Sequence, residues 1–146
     1  MSSADAGLPN RAAEPERVAV GRLLWAGPLI VVAAIAANVL FALIAVRLFG
    51  ISPDFLALTP GAIATFTLFG VVGAVVVFAV VARFARRPFS LFRKIALVVL
   101  IVSLIPDLAM LFVPDMAGPV EVILLMITHV IAAGIVVWML ERLVRA

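Results

Sequence analysis

Four apolar runs, each about as long as a lipid bilayer is thick, constrain this chain more than any other feature. The hydrocarbon core is about 30 Å deep, so a spanning helix needs about 20 apolar residues at ~1.5 Å each. Such stretches fall at about residues 23–48, 60–82, 95–113 and 119–140. With 66% hydrophobic residues, 13% charged residues and a mean hydropathy of +1.34, the 146-residue chain carries too much apolar surface for a water-soluble domain. The expected fold is an all-α integral membrane four-helix bundle built from two antiparallel helical hairpins.

Orientation follows from the basic residues. Arg11, Arg17 and Arg22 precede the first span, Arg83, Arg86, Arg87, Arg93 and Lys94 fill the second loop, and Arg142 and Arg145 follow the last span. Only Arg47 belongs to the other side. The positive-inside rule therefore places both termini and the middle loop in the cytoplasm. The outer loops carry Asp54, Asp115 and Glu121 instead. Residues 1–21 read as a disordered cytoplasmic tail, too poor in large apolar groups to pack, and residues 22–146 as the membrane domain. A signal peptide is the competing reading of the first run, since residues 33–37 resemble a small-residue cleavage region. The run continues through Phe41, Leu43 and Val46, which is too long for one.

Turn chemistry agrees with this division. Ser52-Pro53-Asp54 and Thr59-Pro60-Gly61 bracket the first outer loop, Arg87-Pro88 breaks the inner loop, and Pro114-Asp115 makes an outer turn. Pro60 and Pro119 suit the first turn of a helix, where the missing N–H has no partner to lose. Trp25 and Trp138, near the cytoplasmic ends of the first and last spans, fit the interfacial belt.

Several chemistries are poorly served by this composition. There is no cysteine and only one histidine, so no thiolate chemistry, disulfide framework or protein-only zinc or haem site is expected. Met110, Met116 and Met126 with His129 offer soft ligands for Cu(I), but methionine is common core filler and no metal or other cofactor is assigned. No nucleophile with a credible triad and no phosphate loop is present. The high sequence pI of about 11 invites a nucleic-acid partner, but the cations sit beside membrane spans. The second-loop cluster of Arg83, Arg86, Arg87, Arg93 and Lys94 is a topology determinant that also attracts anionic lipid. The predominance of Arg over Lys, ten of eleven, matches the coding bias of a GC-rich bacterium, hence a bacterial inner membrane.

Function rests on polar groups at membrane depth. Asn38 lies thirteen residues past Trp25, and Asp107 thirteen past Lys94, which puts each about 20 Å from the cytoplasmic boundary. His129 lies ten residues past Pro119, about 15 Å below the outer boundary by the same rise. Three helices thus bring polar side chains to one layer. Thr65 and Thr67 reach its top from the second span, and Ser103 sits one turn below Asp107. An ionised Asp at a helix centre costs roughly 2.5 to 3.5 kcal/mol on insertion scales, so Asp107 must face the bundle or carry a proton. His129 and Asn38 are its expected partners. Pro106 beside it removes a helix hydrogen bond and frees a carbonyl near Val102.

The segments Arg22-Leu23-Leu24-Trp25-Ala26-Gly27-Pro28, Ala82-Arg83-Phe84-Ala85-Arg86-Arg87-Pro88, Ser103-Leu104-Ile105-Pro106-Asp107-Leu108 and Met126-Ile127-Thr128-His129-Val130 resemble the bacterial membrane family called domain of unknown function 6069. The resemblance runs from about Arg22 to Leu140. It implies a four-span inner-membrane protein and lends no catalytic role to any position.

Three function classes remain open at this point. The leading one is a module binding a lipophilic ligand or a membrane partner protein in a cavity lined by Asn38, Asp107 and His129, with Ser103 and Thr65 nearby. The second is a subunit of an oligomeric proton-coupled transporter, with Asp107 and His129 as relay; four spans alone are few for alternating access. The third is a membrane enzyme with His129 as general base. Interhelical glue is the structural alternative for all three residues.

Overall fold

A computed structural model describes residues 16–146. Four helices run antiparallel in sequence order: α1 (Leu23–Phe49), α2 (Pro60–Phe84), α3 (Pro88–Ala109) and α4 (Pro119–Val144). All four are long and apolar enough to cross a membrane. Around the bundle α1 packs on α2 and α4, and α3 on α4 and α2, with α2 and α4 also touching across the diagonal. The two hairpins expected from the sequence are α1–α2 and α3–α4.

Helix boundaries follow local chemistry. Gly50 at the end of α1 adopts φ 62°, a left-handed cap that an L side chain resists, and its N–H bonds the carbonyl of Val46. Thr59 caps α2 by accepting from the Ala62 N–H at 3.4 Å, with Pro60 in the first turn. Pro88 and Pro119 likewise open α3 and α4. α1 and α2 pack closely at Gly27, where an added Cβ would just come into van der Waals contact with the Val75 side chain at 3.4 Å.

The helices outrun the apolar windows at one end. α3 starts at Pro88 rather than near residue 95, and α4 continues to Val144 rather than ending near residue 140. Arg93, Lys94, Glu141 and Arg142 lie on these extra turns, so a hydropathy limit excludes residues that the backbone keeps helical.

The N-terminal segment also departs from expectation. The anticipated tail lies largely outside the described residues, but residues 16–21 are tied to the bundle rather than free of it. Val18 forms an antiparallel bridge with Arg145, and the Ala19 N–H donates to the Val144 carbonyl at 2.9 Å. The Ala146 N–H donates in turn to Arg17 at 3.1 Å. Glu16 reaches the start of α3, where its carboxylate accepts from the Phe89 N–H at 2.8 Å. A carboxylate suits that place because the first N–H groups of a helix lack internal partners and carry partial positive charge.

Two apolar clusters form the core. At the end holding both described chain ends, Ile30, Val71, Phe78, Phe89, Phe92 and Leu140 pack together, with the Phe78 ring 5.3 Å from Phe89 and 5.2 Å from Phe92. At the opposite end Ala42, Ala45, Ile63, Leu124 and Leu125 pack against Ile51 and Leu58 of the first loop. α3 is the most lightly held helix: apart from Pro88, Phe89 and Phe92 at its start, its sole buried residue is Asp107.

Candidate functional site

Between the two apolar clusters lies a polar layer, and its side chains resolve into two separate pairs. On α1, Asn38 follows Ala34 and precedes Ala42 by one turn each; on α2, Thr67 holds the same position between Ile63 and Val71. The Asn38 amide donates to the Thr67 hydroxyl at 3.0 Å, and the two residues are 2% and 8% exposed. The Asn38 Oδ1 is buried without a donor. The pair is almost wholly closed off from the outside of the bundle.

The second pair joins α3 to α4. His129 Nδ1 lies 3.2 Å from Asp107 Oδ2 and 3.1 Å from the Leu125 carbonyl oxygen one turn earlier on α4. A nitrogen facing two acceptors carries a proton, so Nδ1–H is the arrangement this geometry requires, leaving Nε2 for another partner. The contact with Asp107 is close in distance but lacks hydrogen-bond alignment, and Oδ2 remains a buried acceptor without a matched donor. The histidine side chain is 36% exposed and the aspartate side chain 11%. The pair is therefore reachable from the flank of the bundle, through the imidazole.

The other anticipated residues are placed as follows. Asn38 is hydrogen-bonded to Thr67 and not to Asp107 or His129, so the three do not line one cavity. Thr65 is exposed, with its hydroxyl on the Gly61 carbonyl at 2.8 Å; it lies two positions, about 200° around the helix, from the inward-facing Thr67. Ser103 spends its hydroxyl on the Leu100 carbonyl at 2.7 Å. Thr128, not singled out from the sequence, is buried beside His129 and bonds the same Leu125 carbonyl at 2.7 Å. Depth along a helix is readable from spacing, but rotation about its axis is set by packing.

The basic residues Arg83, Arg86, Arg87, Arg93 and Lys94 are all exposed at the end that holds Arg17, Arg22, Arg142 and Arg145. Two acids there are engaged: Glu16 caps α3, and Glu141 pairs with Arg93 through both carboxylate oxygens. Arg145 stacks over the Phe89 ring at 5.0 Å. Glu16 and Glu141 were not anticipated, since each works through a helix distant in sequence.

Among the grooves on the surface of the described residues, two shallow ones stand out, and neither is lined by Asn38, Asp107 or His129. One, of about 390 Å³, runs along α1 past Val32, Ala36 and Leu40. The other, of about 320 Å³, lies between α3 and α4.

Four bilayer-length helices around a buried polar layer define a multi-pass membrane protein. The chain belongs to the family of unknown function DUF6069, whose model matches residues 18–146. No curated protein and no solved structure matches the chain.

Proposed function

We propose that this protein is a ligand- or partner-binding module of the bacterial inner membrane, with both termini cytoplasmic, and that Asp107 and His129 form its recognition site. The carrying observation is an imidazole, about a third exposed, lying 3.2 Å from a buried carboxylate at membrane depth. Ionisable groups are costly in lipid and are mostly found facing a bundle interior or an aqueous or ligand pathway. A partner with an apolar body and one hydrogen-bonding group suits such a pair: its polar group meets the imidazole Nε2 while its body lies in lipid or against the helix flank. The orientation rests on the cations gathered at one end.

The test is native mass spectrometry of protein gently extracted from its own membranes. A small molecule or partner chain retained by the wild type and lost in both Asp107→Asn and His129→Ala, while kept in Thr67→Val, supports the reading. Equal retention in all four proteins overturns it and leaves the pair as interhelical glue.

A second reading draws on the 3.2 Å contact itself, since an adjacent carboxylate and imidazole can pass a proton. In that reading the protein is a subunit of an oligomeric proton-coupled transporter. Proton flux into liposomes that disappears in Asp107→Asn supports it, and flux unchanged by that substitution removes it.

A further inference from the structure

The groove between α3 and α4 has a construction that the Asp107–His129 pair does not explain. On α3 it is lined by Arg93, Ala96, Leu97 and Leu100, and on α4 by Val130, Ala133, Gly134 and Val137. Each set follows the i, i+3, i+4, i+7 spacing of one helix face, so the groove runs straight along the line where the two helices meet. Polar contacts between the two helices bracket it, one at its mouth and one past its lining. Arg93 pairs with Glu141 at the basic end, and Asp107 meets His129 at the other. These contacts are fourteen residues apart on α3 and twelve on α4, about 21 and 18 Å at ~1.5 Å per residue. Between them α3 has no buried residue, and Ala96, Ala133 and Gly134 leave the floor low.

We infer that this groove is a binding site for one anionic phospholipid, with an acyl chain along the α3–α4 line and the phosphate at Arg93 and Lys94. Charge complementarity selects this occupant over a neutral lipid or an apolar helix. Arg93 is the one cation on the groove wall, and its side chain is 58% exposed. Glu141 engages Nε and Nη2, fixing the guanidinium at the mouth while its other N–H groups remain free for a phosphate. Lys94 follows it, exposed and adjacent. The described acids at this end, Glu16 and Glu141, are outnumbered by Arg17, Arg22, Arg83, Arg86, Arg87, Arg93, Lys94, Arg142 and Arg145, so the field around the mouth is positive. Basic pockets between spans at a cytoplasmic boundary suit anionic head groups for this reason. The inference is independent of the ligand reading of Asp107 and His129, which lie outside the lining of the groove.

Gly134 is a direct way to test the site, because a Cβ at that position meets nothing within 4 Å and a larger side chain built from it enters the groove. The experiment titrates the purified full chain with phosphatidylglycerol or phosphatidylcholine of matched acyl chains and counts bound lipid by native mass spectrometry. One phosphatidylglycerol is expected to bind with at least about fivefold preference over phosphatidylcholine, the size of one basic residue's contribution beside an anionic group. Arg93→Gln should remove most of that preference, and Gly134→Phe should abolish the bound lipid by filling the groove. Leu97→Trp provides a second, lipid-facing way to fill it should Gly134→Phe not fold. Arg86→Gln, on the inner loop outside the groove, should leave binding unchanged. Equal binding of the two lipids, a preference that survives Gly134→Phe and Leu97→Trp, or equal loss in Arg86→Gln and Arg93→Gln overturns the site in favour of diffuse surface attraction. A two-chain species abolished by Gly134→Phe would overturn it in favour of a second copy of the protein.

Discussion

Asn38–Thr67 and Asp107–His129 occupy the same layer of one bundle, yet they solve opposite problems. The first is uncharged, sealed between two apolar clusters, and joins neighbouring helices of the first hairpin. The second is ionisable, joins the helices of the second hairpin, and keeps a third of its imidazole side chain exposed. A closed neutral pair fixes which faces of two helices meet. An ionisable pair on a lightly packed line can do that and also meet something from outside. The difference shows that depth in the membrane does not by itself assign a role; access and charge do.

The largest expected effect comes from putting a charge into the closed pair. Asn38→Asp introduces a carboxylate with no cation or imidazole beside it, and unfolding in a detergent titration should show a loss of about 3 kcal/mol. Asp107→Asn should change stability by less than about 1 kcal/mol, because the neutral amide still fits the half-open line. Equal losses in the two variants would break the comparison.

The light packing of α3 sharpens it. Glu16→Ala removes the carboxylate that accepts from Phe89 N–H, so the first turn of α3 should lose about 1 kcal/mol. Hydrogen exchange at the Phe89 and Ser90 amides should accelerate, while that of the first turn of α2, capped by its own Thr59, stays constant. Unchanged exchange at Phe89 would mean that packing alone holds this helix start.

Smaller still is the value of the buried hydrogen bond. Thr67→Val should cost about 0.6 kcal/mol, the average for a polar contact between membrane helices, and Thr65→Val should cost less than the measurement resolves. A loss at Thr65 as large as at Thr67 would contradict the inward rotation of Thr67. The subtlest test is spectroscopic. A nitroxide carried on a lipid chain should broaden the His129 imidazole resonances more than those of the Asn38 side-chain amide, and equal broadening would remove the distinction in access.

Much of the architecture is legible in the amino-acid sequence. The spans are long enough, and the arginines uneven enough, that four helices and two hairpins follow from windows and counting. Asp107 and His129 were expected to be partners, and they are in contact. Asn38 was expected to join them but turned to Thr67, because residues at one depth still differ in azimuth, and azimuth depends on which faces the apolar core selects. The start of α3 was hidden for another reason. Its carboxylate comes from Glu16, on the far side of two spans, so no local signal near Pro88 announces it.

That distant partnership also imposes an order on assembly. Glu16 and the short segment through Ala19 precede all four described spans in the chain, yet their partners are the first amides of α3 and the backbone at the end of α4. The cap can close once the second hairpin begins to enter the bilayer, whereas the bridge of Val18 to Arg145 waits until the last helix is complete. The same short strap therefore serves two junctions whose partners emerge at different times: the start of α3, and the end of α4, where it joins the first described residues of the fold to the last.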